Sequence, residues 1–270
     1  MITTVYQSTR HSGEVTRKAA ETVAEAFNAT HHEWSVDGLV AEYTSLVETA
    51  VQQKLRWHQH DLALQNIQAR ARAPGIWMMA NIENKLLLAT SNRSEAAVGY
   101  TTMDGDTCGG LSPIAGIDKA FLRRWLQWME REGPVELQPV SELQVINAQV
   151  PTAELRPTEQ GQTDEEDLMP YPVLDAIEKL AIRDKLSPVE VAQQMRVVFP
   201  NSERTTIGQW VRRFFELWSR NQWKRERFAP SFHIDDENLD PKTWCRYPIL
   251  SGGFRLELAA LDQWLQQEHS

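Results

Sequence analysis

Thr90, Ser91, Asn92, Ser94, Glu95 and Lys119 lie within residues 86–119, which read LLLATSNRSEAAVGYTTMDGDTCGGLSPIAGIDK. An apolar run enters this stretch, hydroxyls and an amide follow, and a helix is predicted to start near Ser94. In an open parallel sheet, ligands bind where strands end and helices begin. Backbone N–H groups and hydroxyls at such a junction suit phosphate. A carboxylate in the first helical turn, here Glu95, can face a magnesium ion held on that phosphate. A plainer reading stands beside this one: Ser and Asn cap the helix, and Glu95 complements its dipole. Physical chemistry alone leaves both open. The acidic run Asp164, Glu165, Glu166, Asp167 also invites a metal, but consecutive carboxylates usually mark a solvated loop.

The elements that must position these residues are legible as patterns. Residues 2–7 (ITTVYQ) are rich in β-branched side chains and read as a strand. Residues 12–27 follow, with Val15, Ala19, Ala20, Val23 and Phe27 at helical spacing. Residues 31–36 read as a second short strand, and 40–55 as an amphipathic helix. Residues 61–82 form a long helical pattern that Pro74 and Gly75 kink or restart. The run KLLLA at 85–89 is expected as a parallel strand buried on both faces. Strand–helix alternation of this kind predicts a parallel sheet with helical crossovers. Residues 101–117 carry four glycines and one proline and read as loop. A helix is predicted over 118–132 with Asp118 at its cap, then a polar, acidic surface loop over 154–170. From Tyr171 the chain reads as all-helical. Ser187-Pro188-Val189-Glu190 makes a capping-box start. Residues 206–223 form a helix with Ile207, Trp210, Val211, Phe214, Leu217 and Trp218 as its apolar stripe. A last helix is predicted over 254–265.

Bulk properties bound the rest. A chain of 270 residues, 41% hydrophobic, can bury a substantial core. Its net charge of −9 argues against broad nucleic-acid binding, which needs a basic face. Cys108 and Cys245 have no CxxC spacing, so neither a disulfide scaffold nor a zinc site is expected, and a reducing compartment is. The first residues lack the basic and apolar regions of a signal peptide. No apolar run approaches the roughly 18 residues of a membrane span. The expectation is a cytoplasmic protein with no membrane and no nucleic-acid partner.

Four blocks in order resemble the NAD synthetase family. Residues 63–72 (ALQNIQARAR) are similar to its QN-x-QAR helix. Residues 86–119 are similar to its strand, N-x-S-E turn, G-Y-x-T-x-x-G-D segment and glycine-rich turn before a lysine. Residues 151–168 (PTAELRPTEQGQTDEEDL) are similar to its AEL-x-P…QTDE-DL loop, and 224–230 (KRERFAP) to its K-R-x-x-x-P segment. Residues 5–27 resemble the second strand and helix of the same fold, and 231–254 the tail of the glutamine-dependent branch.

The resemblance implies an α/β fold: a Rossmann-like parallel sheet of the adenine nucleotide alpha hydrolase type, incomplete at its N-terminus, with a helical C-terminal part. Its expected divisions are a partial nucleotide-binding core over 1–150, a mobile acidic loop over 151–170 that closes over the site, and a helical part over 171–270. It implies ATP and Mg2+ as cofactors, and deamido-NAD and ammonia as substrates. The nicotinate carboxylate attacks the α-phosphate of ATP, pyrophosphate leaves, and ammonia displaces AMP. By match, Thr90, Lys119 and Thr152 contact ATP, with Lys119 catalytic in stabilising charge on the leaving pyrophosphate. Glu95 binds magnesium on the deamido-NAD side, and Arg70 and Lys224 contact deamido-NAD. Read apart from the match, each is ordinary: a solvated or paired arginine, a surface lysine, a turn threonine.

Met103 and Gly110 stand where the ammonia-dependent branch often carries Lys and Asp, so those contacts are not carried over. Arg212, Arg213, Arg220, Lys224, Arg225 and Arg227, with Trp210, Trp218 and Trp223, are explained by core tryptophans beside a dinucleotide-phosphate pocket. The family's SGG-x-DS phosphate loop is expected before Met1, because residues 2–7 already resemble the second strand. Ser251-Gly252-Gly253 is a decoy that continues as Phe254-Arg255. The resemblance thus implies a fragment inactive alone, with an exposed apolar sheet surface. It also implies a glutaminase domain or chain as partner and a homo-oligomer. The alternative is a non-catalytic remnant that binds nucleotide or a partner.

Overall fold

The computed structural model describes residues 2–136, 138–157 and 163–267. In chain order its elements are β1 (Thr3–Ser8), α1 (Glu14–Ala26), β2 (Thr30–Ser35), α2 (Asp37–Val51), α3 (Trp57–Ala71), α4 (Ala73–Glu83) and α5 (Arg93–Val98). Then come α6 (Lys119–Arg131), α7 (Gln144–Asn147), α8 (Asp164–Asp167), α9 (Tyr171–Glu178) and α10 (Pro188–Val198). The chain ends through α11 (Arg204–Arg220), α12 (Gln222–Arg225) and α13 (Arg255–Gln266).

The chain folds as two compact units: one of 1–87, 104–106 and 121–167, the other of 88–103, 107–120 and 168–270. The first unit is built on a β-α-β turn. β1 and β2 pair in parallel, in register from Thr3 with Thr30 to Ser8 with Ser35. Parallel strands need a crossover, and α1 supplies it, packing on both strands. α3 and α4 are separate helices meeting at Arg72, and Pro74 lies in the first turn of α4, where a missing N–H is harmless. The restart expected at Pro74 and Gly75 is therefore present.

The second unit is helical around one apolar core. On α11, Ile207, Val211, Phe214 and Trp218 recur at helical spacing and are buried. They pack with Leu174 and Ile177 of α9, Val191 and Met195 of α10, and Leu261 of α13. Full burial of such side chains is worth about 1.5–3 kcal/mol each. α10 starts as expected: Ser187 Oγ accepts from the Glu190 N–H, and Glu190 accepts in return from the Ser187 N–H at 2.8 Å.

Two expectations need correction. Residues 85–89 do not form a buried strand. Leu88 makes an isolated parallel bridge to Leu111, and Leu86 and Leu88 are 63% and 49% exposed. A parallel strand is buried by neighbours on both sides, and among the described residues the sheet holds only β1 and β2. The acidic run is not simply a solvated loop either. It forms α8, with Asp164 buried and Asp167 accepting from Arg156 Nη1 at 2.9 Å. Arg156 also forks onto Asp61, at 3.2 and 3.0 Å, so a cation has drawn part of the run inward. The mobile loop expected over 151–170 falls partly on 158–162, outside the described residues.

Candidate active site

The site grows from the start of α5. Asn92 is its N-cap: the Asn92 side chain accepts from the Glu95 N–H at 3.0 Å, and Glu95 Oε2 accepts from the Asn92 N–H at 3.3 Å. The capping reading of this stretch is therefore realised, yet it uses only one oxygen of Glu95. The other, Oε1, accepts from Lys119 Nζ at 2.9 Å. Glu95 and Lys119 are 16% and 23% exposed, so the pair faces solvent at its edge. The Lys119 ammonium also lies over the Tyr171 ring, 5.6 Å from its centre. A cation and a hard oxygen donor side by side can receive an anion together with its counter-cation.

Asp175, on α9, sets the spacing of that pair. Its Oδ1 accepts from Ser94 Oγ at 2.5 Å and its Oδ2 from the Ala120 N–H at 3.1 Å. Ser94 Oγ in turn accepts from the Lys119 N–H at 2.9 Å. One carboxylate thus ties the first turns of α5 and α6 together. Burial pushes the Asp175 carboxyl up to about 7, with the nearby Asp118 adding to the rise and the Ser94 hydrogen bond opposing it.

Arg93, two residues before Glu95, is buried and surrounded by acids. Nε donates to Asp118 at 2.7 Å and lies 3.3 Å from Glu178 Oε1; Nη1 donates to Asp235 at 2.6 Å and Nη2 to Glu237 at 3.1 Å. Burial opposes the guanidinium's charge, but the hydrogen bond to Asp118 and the surrounding acids outweigh it and raise its pKa further. Glu178 is fully buried, and desolvation drives its pKa well above the ordinary value.

Of the other residues marked by the sequence, Thr90 is exposed just beyond the Leu88 bridge. Lys224 Nζ donates to the Gly99 and Thr101 carbonyls, both at 2.7 Å, and so holds the loop that leaves α5. That loop begins at Gly99, whose φ of +66° is a left-handed cap. Arg70 and Thr152 belong to the first unit. Arg70 lines a cavity of about 680 Å3 with His58, His60, Asp61, Asn66 and Ile67. Thr152 Oγ1 accepts from the Glu154 N–H at 3.3 Å. The structure therefore brings Glu95 and Lys119 together within the second unit.

Sequence reasoning missed Arg93, Asp175 and Glu178. A signal existed for the two acids: Asp175 and Glu178 are one helical turn apart among Val173, Leu174 and Ile177, carboxylates set into an otherwise apolar helix. Of the basic–aromatic cluster, only Trp218 and Arg225 are core, whereas Arg213, Arg220, Trp223 and Arg227 are exposed. Arg225 is buried, stacks 3.7 Å from the Trp218 ring, and donates to the Ala97 carbonyl at 2.8 Å.

The NAD synthase family model matches residues 2–227. Glutamine-dependent NAD(+) synthetases of Dictyostelium discoideum and Thermotoga maritima are 26% and 35% identical over 88% and 70% of the chain, which covers 35% and 30% of them. The chain thus spans about a third of the length of these curated relatives. Among solved structures, a glutamine-dependent NAD(+) synthetase from Cytophaga hutchinsonii is 48% identical, with a TM-score of 0.83 over 97% of this chain and 41% of that one. An NMN synthetase from Francisella tularensis, 18% identical at a TM-score of 0.61, shares the fold. No described helix is long and apolar enough to cross a membrane. With the family model spanning both units and the N-x-S-E turn and its lysine in contact, this chain belongs to the NAD synthase family.

Proposed function

We propose that these residues form the synthetase part of a glutamine-dependent NAD synthetase, a carbon–nitrogen ligase that adenylates deamido-NAD with ATP and then amidates it with ammonia. The observation that carries this reading is the Lys119–Glu95 contact, which joins two residues 24 positions apart within the 86–119 block, with Asp175 holding the helix starts that bear them. Lys119, released from Glu95, donates to the triphosphate and stabilises charge on the departing pyrophosphate. Glu95 fits magnesium: it is a partly buried hard oxygen donor, and Mg2+ commonly takes one or two carboxylates plus substrate phosphates. Bound there, the ion would neutralise phosphate charge. Thr90 and Thr152 bind ATP, and Arg70 and Lys224 bind deamido-NAD, in the same proposal. Arg70 carries its share through the cavity it lines.

The 270 residues contain no SGG followed by x-Asp-Ser, so this reading expects the β- and γ-phosphate contacts from a polypeptide that bears that loop. A glutaminase domain or chain supplying ammonia and a second copy of this chain are its proposed partners. The test is calorimetric titration of the chain with ATP–Mg2+ and with deamido-NAD, beside an assay of NAD formation with ammonium. Saturable ATP binding, weakened at least tenfold in Lys119→Ala and Glu95→Gln, is expected, with little turnover. Absence of binding to either substrate would sink the proposal. Rapid NAD formation by the chain alone would overturn the requirement for the loop.

A further inference from the structure

Glu178 presents a chemical problem. Its carboxylate is 1% exposed, and neither oxygen has a hydrogen-bond partner. Such a group is stable only when protonated or compensated by positive charge. Protonation alone does not resolve it, since the carbonyl oxygen of the acid would still have no donor. Arg93 does not suffice. Its Nε is hydrogen-bonded to Asp118 and its two Nη atoms to Asp235 and Glu237. One guanidinium therefore faces five carboxylates, counting Asp175. The cations at the rim, Lys179 and Arg183, reach Glu237 at 3.8 and 3.3 Å.

The spacing within the cluster is informative. Asp118, Asp175 and Glu178 each place one carboxylate oxygen within 4.8 Å of the others. No donor satisfies either Glu178 oxygen. Yet all three are close enough to share an ion whose oxygen ligands stand about 2.0–2.6 Å away. Asp118 is 22% exposed and gives the position an entrance from solvent. Its Oδ1 holds Arg93, which leaves Oδ2 for a second role.

We propose that Asp118, Asp175 and Glu178 bind a divalent cation of the Mg2+, Mn2+ or Ca2+ class, at a site separate from Glu95. All three donors are hard oxygens, which excludes a preference for soft metals. The ion cross-links α9 to the turn that precedes α6 and offsets the excess of carboxylates around Arg93. The site does not depend on the nucleotide chemistry proposed above.

The test is calorimetric titration of the full chain with MnCl2, after chelation and in the absence of nucleotide. About one Mn2+ per chain is expected for the wild type and for Glu95→Gln. Binding at least tenfold weaker is expected for Glu178→Gln and Asp118→Asn, each with an unchanged circular dichroism spectrum. The proposal is overturned by a wild type that binds no Mn2+ saturably, by Glu178→Gln and Asp118→Asn binding like the wild type, or by loss confined to Glu95→Gln. If Glu178→Gln does not fold, the partly exposed Asp118→Asn decides the matter alone.

Discussion

At the scale of single residues, Asp175 is the group whose protonation the fold controls most visibly. An ordinary aspartate releases its proton near 3.8, whereas burial holds this one to about 7. Between those limits the folded chain binds more protons than the unfolded one, so stability falls as pH rises through the window and levels off above it. Glu178, shifted the same way, steepens the fall. Urea midpoints measured in chelator from about pH 4 to pH 8 should show this decline. Asp175→Asn should flatten it; a decline that persists in that variant would assign it to other groups. The sequence exposed Lys119 and Glu95 because both lie in a motif. Asp175 stayed hidden because its role depends on α9 folding back onto residues some 55–80 positions earlier, and helical periodicity does not report such returns.

At the scale of elements, α5 is short and held at both ends. Asn92 and Glu95 close its start, and Gly99 ends it in a left-handed conformation. A Cβ at Gly99 would collide with the Asn221 side chain, whose amide donates to the Val98 carbonyl at 2.8 Å. Gly99→Ala combines strain with a broken contact and should lower stability by about 1–3 kcal/mol in chemical denaturation. On α10, Ser187→Ala removes a cap within the same unit and should lose only about 1 kcal/mol. If the two variants were equally mild, Asn221 would have room to move. Helices of this kind were legible in advance, since caps and apolar stripes are local signals. The run at 85–89 was misleading for a matching reason: an apolar run shows that burial is favoured but not whether strands flank it, and Leu86 and Leu88 are left exposed.

At the scale of the whole molecule, α2 has no buried residue, and Leu39, Tyr43, Leu46, Val47 and Val51 are all exposed along it. Contiguous apolar surface on a folded chain marks an interaction site or an aggregation liability. The chain should therefore self-associate, with sedimentation coefficients that rise with concentration. Leu46→Lys combined with Val47→Glu should suppress the rise, and a wild type that stays monomeric throughout would contradict it. The parallel β-α-β start and the helical C-terminal part were readable from periodicity. The division into units was not, because each gathers stretches of chain that are distant in sequence.

That interleaving sets a timetable for synthesis. Arg93 and Asp118 leave the ribosome well before Asp175 and Glu178, and Asp235 and Glu237 later still. At about 5–20 residues per second, the wait from Lys119 to Asp175 is on the order of 3–11 s, far longer than a helix needs to form. Arg93 meets its first acid early and collects the others in order of translation. During that interval α5 and the start of α6 have no apolar partner from α9 or α11, which makes the nascent chain a client for chaperones over this segment.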